Sequence, residues 1–210
     1  MCWSATADLV AGSAIAAVGV GCVARAARAR PRALPLAALP LLLGAHQIIE
    51  AAIWHAGGGR GPAVVAWAVI ALPLLPLCVP AGVLCVAPPR TRRRLALPLA
   101  CGVATSAALA YVVATRTVTA TVRSHTMAYE IGLPHAGWLI AGYLPATIGS
   151  LLLAGEKGLV LLGCLVAAAA AGCAALWRWE FISTWCAGAA VCSVALYAWV
   201  RRTGTAPASD

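Results

Sequence analysis

The sequence predicts an all-α fold, a seven-span transmembrane helical bundle with its N-terminus outside and its C-terminus inside, and three observations carry that prediction. Of 210 residues, 62% are hydrophobic and only 10% are charged, against about 25% charged in soluble domains. A water-facing surface cannot be assembled from such a composition. Apolar runs of about 18 to 25 residues recur from end to end, each long enough to cross the hydrocarbon core. They are rich in Ala and Leu without two-residue alternation, and because backbone groups in lipid must bond internally, they are helices. Finally, the basic residues alternate in position. Eleven of the fifteen fall among Arg25, Arg28, Arg30 and Arg32, then Arg90, Arg92, Arg93 and Arg94, then Lys157, Arg201 and Arg202. Only Arg60, Arg116, Arg123 and Arg178 occupy the segments in between, which is the positive-inside pattern.

The first span, at about 4–23, has no basic segment before it and a positive cluster after it, which fits an uncleaved anchor better than a signal peptide. The second, 33–56, ends at Gly57-Gly58-Gly59-Arg60-Gly61. The third, 62–87, carries Pro73, Pro76 and Pro80 and predicts a kinked helix whose freed carbonyls are satisfied by neighbouring helices. Spans at 95–115 and 136–154 follow, separated by an outer loop, 116–135. A Gly155-Glu156-Lys157-Gly158 turn leads into 158–177, the last span covers 181–200, and 203–210 form a polar tail. The whole of 1–202 reads as one transmembrane domain in the cell membrane. In the outer loop, Thr117 to Val122 is β-branched and alternating, Arg123-Ser124-His125 reads as a turn, and Thr126 to Ile131 pairs back. That predicts a short hairpin or extended cap over the outer mouth, a lid in one reading and a passive solvated loop in the other.

The formal charge of +9 does not indicate nucleic acid, because the basic residues are spread over loops as topology signals; the partners they imply are anionic membrane lipids. Nine cysteines are present, but seven of them (Cys22, Cys78, Cys85, Cys101, Cys164, Cys173 and Cys192) lie within apolar segments, where Cys behaves as a small hydrophobe. There is no C-x-x-C pair. Cys2 and Cys186 both fall near the outer face, where a disulfide is an open alternative.

The second span carries the strongest chemical signal. At about 100° per residue, His46, Gln47, Glu50 and Trp54 share an arc of roughly 100°, with His55 facing the other way. Glu50 falls nearly two turns inside the membrane, where an unpaired carboxylate is costly, so it is expected to carry a proton or to bond His46 or Gln47. Asp8, slightly over one turn into the first span, falls at the outer edge of the same layer; alternatively, Ser4 or Asp8 only caps or bonds the first turn. The rest of the layer is aromatic: Trp67, Tyr111, Trp138, Tyr143 and Trp185, beside Cys186. Trp3, Trp177, Trp179 and Trp199 are explained by interfacial enrichment. Trp54, Trp67 and Trp185 are deeper, either as core or as a pocket lining whose faces stabilise a cation.

Several chemistries can be set aside. The last span has no Lys for a retinal Schiff base, no D-D-x-x-D or N-x-x-x-D cluster is present to hold magnesium on a diphosphate, and neither G-x-S-x-G nor H-E-x-x-H occurs. His46 and Glu50 at i, i+4, with His135 and Asp8 as additions, make only a weak metal signal; no metal and no cofactor is expected.

The opening Met1-Cys2-Trp3-Ser4-Ala5, the stretch Leu41-Leu42-Leu43-Gly44-Ala45-His46-Gln47-Ile48-Ile49-Glu50 and the stretch Phe181-Ile182-Ser183-Thr184-Trp185-Cys186 together resemble an uncharacterised bacterial family of multi-pass membrane proteins that opens Met-Cys-x-Ser-Ala. The resemblance implies a shared framework of Gln47, Glu50, Trp54 and Trp185. The family pattern has Gln at the position of His46 and a small residue at that of Asp8, so both ionisable groups are additions in this chain. No activity comes with the resemblance.

Two functional readings follow. In one, the chain is an intramembrane enzyme, cyclase- or isomerase-like, in which Glu50 or Asp8 protonates a hydrophobic isoprenoid or lipid and His46 assists. Gln47, Trp54, Trp67, Tyr111, Tyr143 and Trp185 then line the substrate's pocket. The comparison with membrane-bound, protonation-initiated terpene cyclases is one of site chemistry and span number. Because the layer faces outward, a neutral isoprenoid drawn from the bilayer fits better than a diphosphate. In the other, the same buried acids bind a proton, metal or hydrophobic ligand in a small transporter or sensor, although no inverted repeat is visible. A purely structural membrane role is the third possibility.

Overall fold

The computed structural model describes residues 4–123, 126–176 and 181–203, and of 174–176, 181–187, 189 and 203 the backbone alone. Cys2, Trp3, Ser124, His125, Trp177, Arg178 and Trp179, and the side chains of Trp185 and Cys186, lie outside the described residues, and with them the Cys2–Cys186 pairing.

Seven helical stretches follow one another among the described residues. They are α1 (Ala5–Ala29), α2 (Pro31–His55), α3 (Pro62–Val86), α4 (Pro89–Thr115), α5 (Ala136–Leu152), α6 (Lys157–Leu176) and α7 (Phe181–Thr203). A two-stranded hairpin, β1 (Thr119–Arg123) with β2 (Thr126–Glu130), interrupts them after α4. Helices α1 to α4 are each long and apolar enough to cross a membrane, while Ala136–Leu152 and Lys157–Cys173 are apolar but shorter. Large apolar side chains such as Leu9, Val10, Val20, Leu97, Val103 and Leu161 point away from the protein. In water so much exposed hydrocarbon is a liability, whereas against lipid tails it costs nothing.

Without a hydrophobic drive between helices in lipid, close backbone approach must do the packing. Helices α1 and α2 meet this way. A Cβ added at Gly12 would lie 2.8 Å from the Gln47 Cβ and 2.9 Å from the Gly44 carbonyl oxygen, and one added at Gly44 would lie 2.7 Å from the Ala16 nitrogen. Gly19 faces Leu41 in the same fashion. This antiparallel register puts Asp8, one turn before Gly12 on the same buried face, at about the level of Ala51.

Helix α3 changes its hydrogen bonding where its prolines demand. Ile70–Leu74 forms a π turn with Pro73 inside it. Five residues after Ala71 stands Pro76, which has no N–H to offer, and the Tyr143 hydroxyl donates to the Ala71 carbonyl instead at 2.8 Å. The Ser106 hydroxyl donates to the Pro73 carbonyl at 2.7 Å. Gly102 packs against the Pro76 carbonyl, the one that Pro80 cannot serve. The freed carbonyls of α3 are thus served from α4 and α5, as the sequence requires.

Two clusters of buried side chains divide the bundle. One, at the arginine-rich end, gathers Cys22, Leu36, Val83, Leu95, Leu159 and Trp199. Here the Arg30 guanidinium pairs with Glu156 at 2.9 Å and lies 5.2 Å from the Trp199 ring centroid, while the Trp199 indole donates to the other Glu156 oxygen at 2.9 Å. These contacts tie the end of α1 to the α5–α6 turn and to α7. The other cluster, at the opposite end, joins Ile53, Val64, Trp67 and Ala68 to Val118, Ala120 and Met127 of the hairpin segment.

The hairpin is fastened to the glycine loop after α2. Gly57 and Gly58, at φ 71° and 83°, close α2 by donating to the Trp54 and Ile53 carbonyls, both at 3.0 Å, a Schellman ending that calls for residues free of a Cβ. Gly59 and Ala120 then exchange backbone hydrogen bonds at 2.7 and 2.9 Å, and Arg60 Nε donates to the Thr119 hydroxyl at 3.2 Å. Within the hairpin, Arg123 pairs with Glu130 at 2.8 Å.

Candidate functional site

The site is built where α2 passes beneath the hairpin. The periodicity of α2 turns His46, Gln47 and Glu50 inward together, at 7%, 2% and 1% exposure, while Trp54 is half-buried and His55 exposed. Glu50 finds its partner outside its own helix. The Tyr129 hydroxyl, from β2, donates to Glu50 Oε1 at 3.1 Å. The Tyr129 ring stacks on Trp67 of α3, with centroids 3.4 Å apart and planes within 9°. The other neighbour of Trp67 is His46, whose ring lies 4.9 Å away at 33°. Glu50, Tyr129, Trp67 and His46 therefore form one chain of contacts across α2, α3 and the hairpin.

The sequence expects Glu50 to carry a proton or to bond His46 or Gln47. The Gln47 amide nitrogen approaches His46 Nδ1 at 3.5 Å, a long and weak contact, and the carboxyl meets the hairpin through Tyr129. Tyr129 is thus the residue that the sequence analysis did not single out. It is paired with Ala120 across the hairpin, and its membership of the predicted strand Thr126 to Ile131 was the only part of its role that the sequence carried.

Asp8 is wholly buried in the first turns of α1, at the hairpin side of the Glu50 layer. Capping of α1 falls to Ser4, whose hydroxyl accepts from the Ala7 N–H at 3.2 Å, so Asp8 is not the cap. Three nitrogens in this region, His46 Nε2, Trp54 Nε1 and Trp67 Nε1, are buried without a hydrogen-bond partner among the described residues. Buried donors and acceptors are nearly always paired, so a polar layer that leaves three of them unmatched has capacity for something further.

Other predicted members lie apart. Tyr111 is 71% exposed. The buried stripe of α4 runs through Leu95, Pro98, Gly102, Thr105, Ser106, Leu109 and Val112, and position 111 falls off it, toward the surface. Trp138 is likewise exposed. Tyr143 serves α3 through the Ala71 carbonyl, as described above. The Trp185 side chain lies outside the described residues. Among the described residues, no three His, Cys, Asp or Glu side chains converge to hold a metal ion; His135 heads α5 in a left-handed conformation, φ 52°.

Chemically the arrangement offers a buried carboxyl with one oxygen engaged by a phenol, an imidazole one turn earlier on the same helix face, and indole faces beside them. A family of unknown function, DUF6629, has a model that matches residues 1–210, so the chain belongs to that family. No curated protein and no solved structure matches the chain.

Proposed function

We propose that this member of the DUF6629 family is a seven-span protein of the cell membrane, N-terminus outside and C-terminus inside, in which Glu50 is a general acid acting on a hydrophobic isoprenoid or lipid. The observation that carries the reading is the hydrogen bond from Tyr129 to Glu50, made by a hairpin that folds over the end of the bundle. Burial favours the neutral carboxyl, and a phenol donating to Oε1 leaves Oε2 as the oxygen to carry its proton while stabilising the carboxylate formed when that proton is given up. A desolvated setting strengthens that donation. The proton goes to one carbon of an alkene, or to an epoxide oxygen, and the adjacent carbon becomes cationic. The half-buried Trp54 face is suited to stabilise that charge. Loss of a proton from a neighbouring carbon back to the Glu50 carboxylate closes the cycle, so the net change is an isomerisation or cyclisation without an external oxidant. His46, one turn before Glu50, assists the return of the proton, and Asp8 is a second candidate acid at the same level.

A transporter or sensor remains the second reading, favoured by the π turn and prolines of α3, which interrupt the regular helix at a point where it could gate. The two are separated by comparing lipid extracts by mass spectrometry from an isoprenoid-rich host expressing wild type, Glu50→Gln, Asp8→Asn or empty vector. Glu50→Gln keeps an oxygen for Tyr129 and so keeps the fold, while product is expected to fall at least about a hundredfold. Identical extracts from all four would sink the enzyme reading and promote the second. A Glu50→Gln protein that fails to fold would mark Glu50 as a structural bond between α2 and the hairpin.

A further inference from the structure

At the other end of the molecule, we propose that a cleft among the arginines binds the phosphate of an anionic phospholipid headgroup. The cleft has a volume of about 690 Å³ and lies where the α1–α2 corner, the end of α3, the start of α4 and the α5–α6 turn come together. Arg30, Arg32 and Arg92 line it against a single acid, Glu156, so three positive charges less one leave a local excess of two. Their engagement differs. Arg30 is held by Glu156. Arg92 is anchored at the rim by a weak bond from its Nε to the Ala87 carbonyl at 3.4 Å, which leaves its terminal nitrogens for another acceptor. Arg32 is exposed and has no protein partner among the described residues. Guanidinium groups with donors to spare, set on different segments around one concavity, match the several oxygens of a phosphate.

Two further features point the same way. Pro88 and Pro89 line the cleft at the start of α4, a helix that has no side-chain cap, so the positive end of its dipole falls on the same space. Cys85 and Val86, at the end of α3, with Ala87 give the cleft an apolar wall. An amphiphile can lie along it with its phosphate at the arginines and its chains in the bilayer. A flat basic surface would attract anionic lipid without retaining it, whereas a concave site should retain it.

The test uses the full chain in nanodiscs of phosphatidylcholine carrying a minor fraction of phosphatidylglycerol, with lipid retention after detergent release read by native mass spectrometry. Two double variants with the same loss of charge are compared. Arg32→Ala with Arg92→Ala removes the cleft's exposed arginines. Arg93→Ala with Arg94→Ala removes their neighbours on α4, which do not line it. All four side chains are exposed, so neither pair is expected to disturb folding. Wild type and the Arg93/Arg94 variant are expected to retain phosphatidylglycerol over phosphatidylcholine, and the Arg32/Arg92 variant to retain it about tenfold less. Equal losses in the two variants, or equal retention of the two lipids by wild type, would overturn the site. A parallel titration with glycerol 3-phosphate separates the sources. Binding as tight as the lipid's, lost in the same variant, would keep a phosphate site and overturn the lipid as its occupant. None of these readouts involves Glu50, so they stand or fall independently of the acid at the other end.

Discussion

Glu50 is tolerated deep in an apolar helix because three chain segments contribute to its surroundings, and the Tyr129 hydroxyl is the contribution that can be removed most cleanly. Tyr129→Phe keeps the ring on Trp67 and deletes one donor. Leaving a buried acceptor short of a partner costs about 1 to 3 kcal/mol, so the thermal midpoint of the detergent-solubilised protein should fall measurably. If the midpoint does not move, the Tyr129–Glu50 bond contributes nothing to the fold. On the proposed chemistry, the same variant should also slow product formation while leaving the product's structure unchanged, because the aromatic shape survives. At this scale the acid was legible and its partner was not. An ionisable residue inside a span announces itself from the sequence alone, as do the residues one turn away from it. A bond across 79 positions is set by where the hairpin docks, and no local pattern encodes that.

Helix positions and the hairpin could be read from periodicity and turn residues, because those signals are local. Strands predicted from Thr117 to Val122 and Thr126 to Ile131 are found at Thr119–Arg123 and Thr126–Glu130. Three prolines in one span called for a kink with outside help, and Ser106 and Tyr143 supply it. That these two residues would do so was not legible, because a hydroxyl on a predicted helix fits equally well on any face until the packing partner is known. Tyr111 shows the reverse error: depth along a span can be counted from sequence, but facing depends on which stripe of α4 meets α3. The glycine run after α2 explains how the hairpin is held and gives a test at the level of the element. A Cβ at Gly58 would stand 2.6 Å from the Ala120 carbonyl oxygen, on a residue whose φ of +83° already disfavours any side chain. Gly58→Ala should therefore loosen the hairpin from the end of α2 and fray the last turn of α2, leaving the body of the helix intact. Hydrogen exchange followed by mass spectrometry is expected to quicken across 119–130 while 39–52 stays protected. Equal protection in both proteins would mean that the glycine loop does not fasten the hairpin.

Across the whole molecule the two ends differ in kind: one carries the hairpin and glycine loop, the other the arginine clusters and the Arg30–Glu156–Trp199 contact. That polarity, together with the alternation of basic segments, argues for seven spans with the arginine end inside. The weak point of the count is α5. Ala136–Leu152 is apolar but shorter than the four long helices, at the lower limit of the roughly 17 to 25 residues that suffice to span. If α5 and α6 only dipped into the bilayer as a pair, five spans would remain. Parity hides this from the obvious experiment, since the C-terminus is inside with five spans or with seven. The α5–α6 turn decides it. Reporter fusions to alkaline phosphatase, active only outside, and to green fluorescent protein, fluorescent only inside, distinguish the cases when joined after Arg60, after Lys157 and after Arg202. Seven spans predict phosphatase activity at Arg60 and fluorescence at both Lys157 and Arg202. A phosphatase-active fusion at Lys157, with Arg60 also outside, would reduce the bundle to five spans. It would also place Glu156 on the opposite side of the membrane from Arg30, which the 2.9 Å ion pair between them does not allow. The Arg30–Glu156 pair therefore supports the fluorescent outcome at Lys157, and with it the proposal that α5, short as it is, carries the chain across.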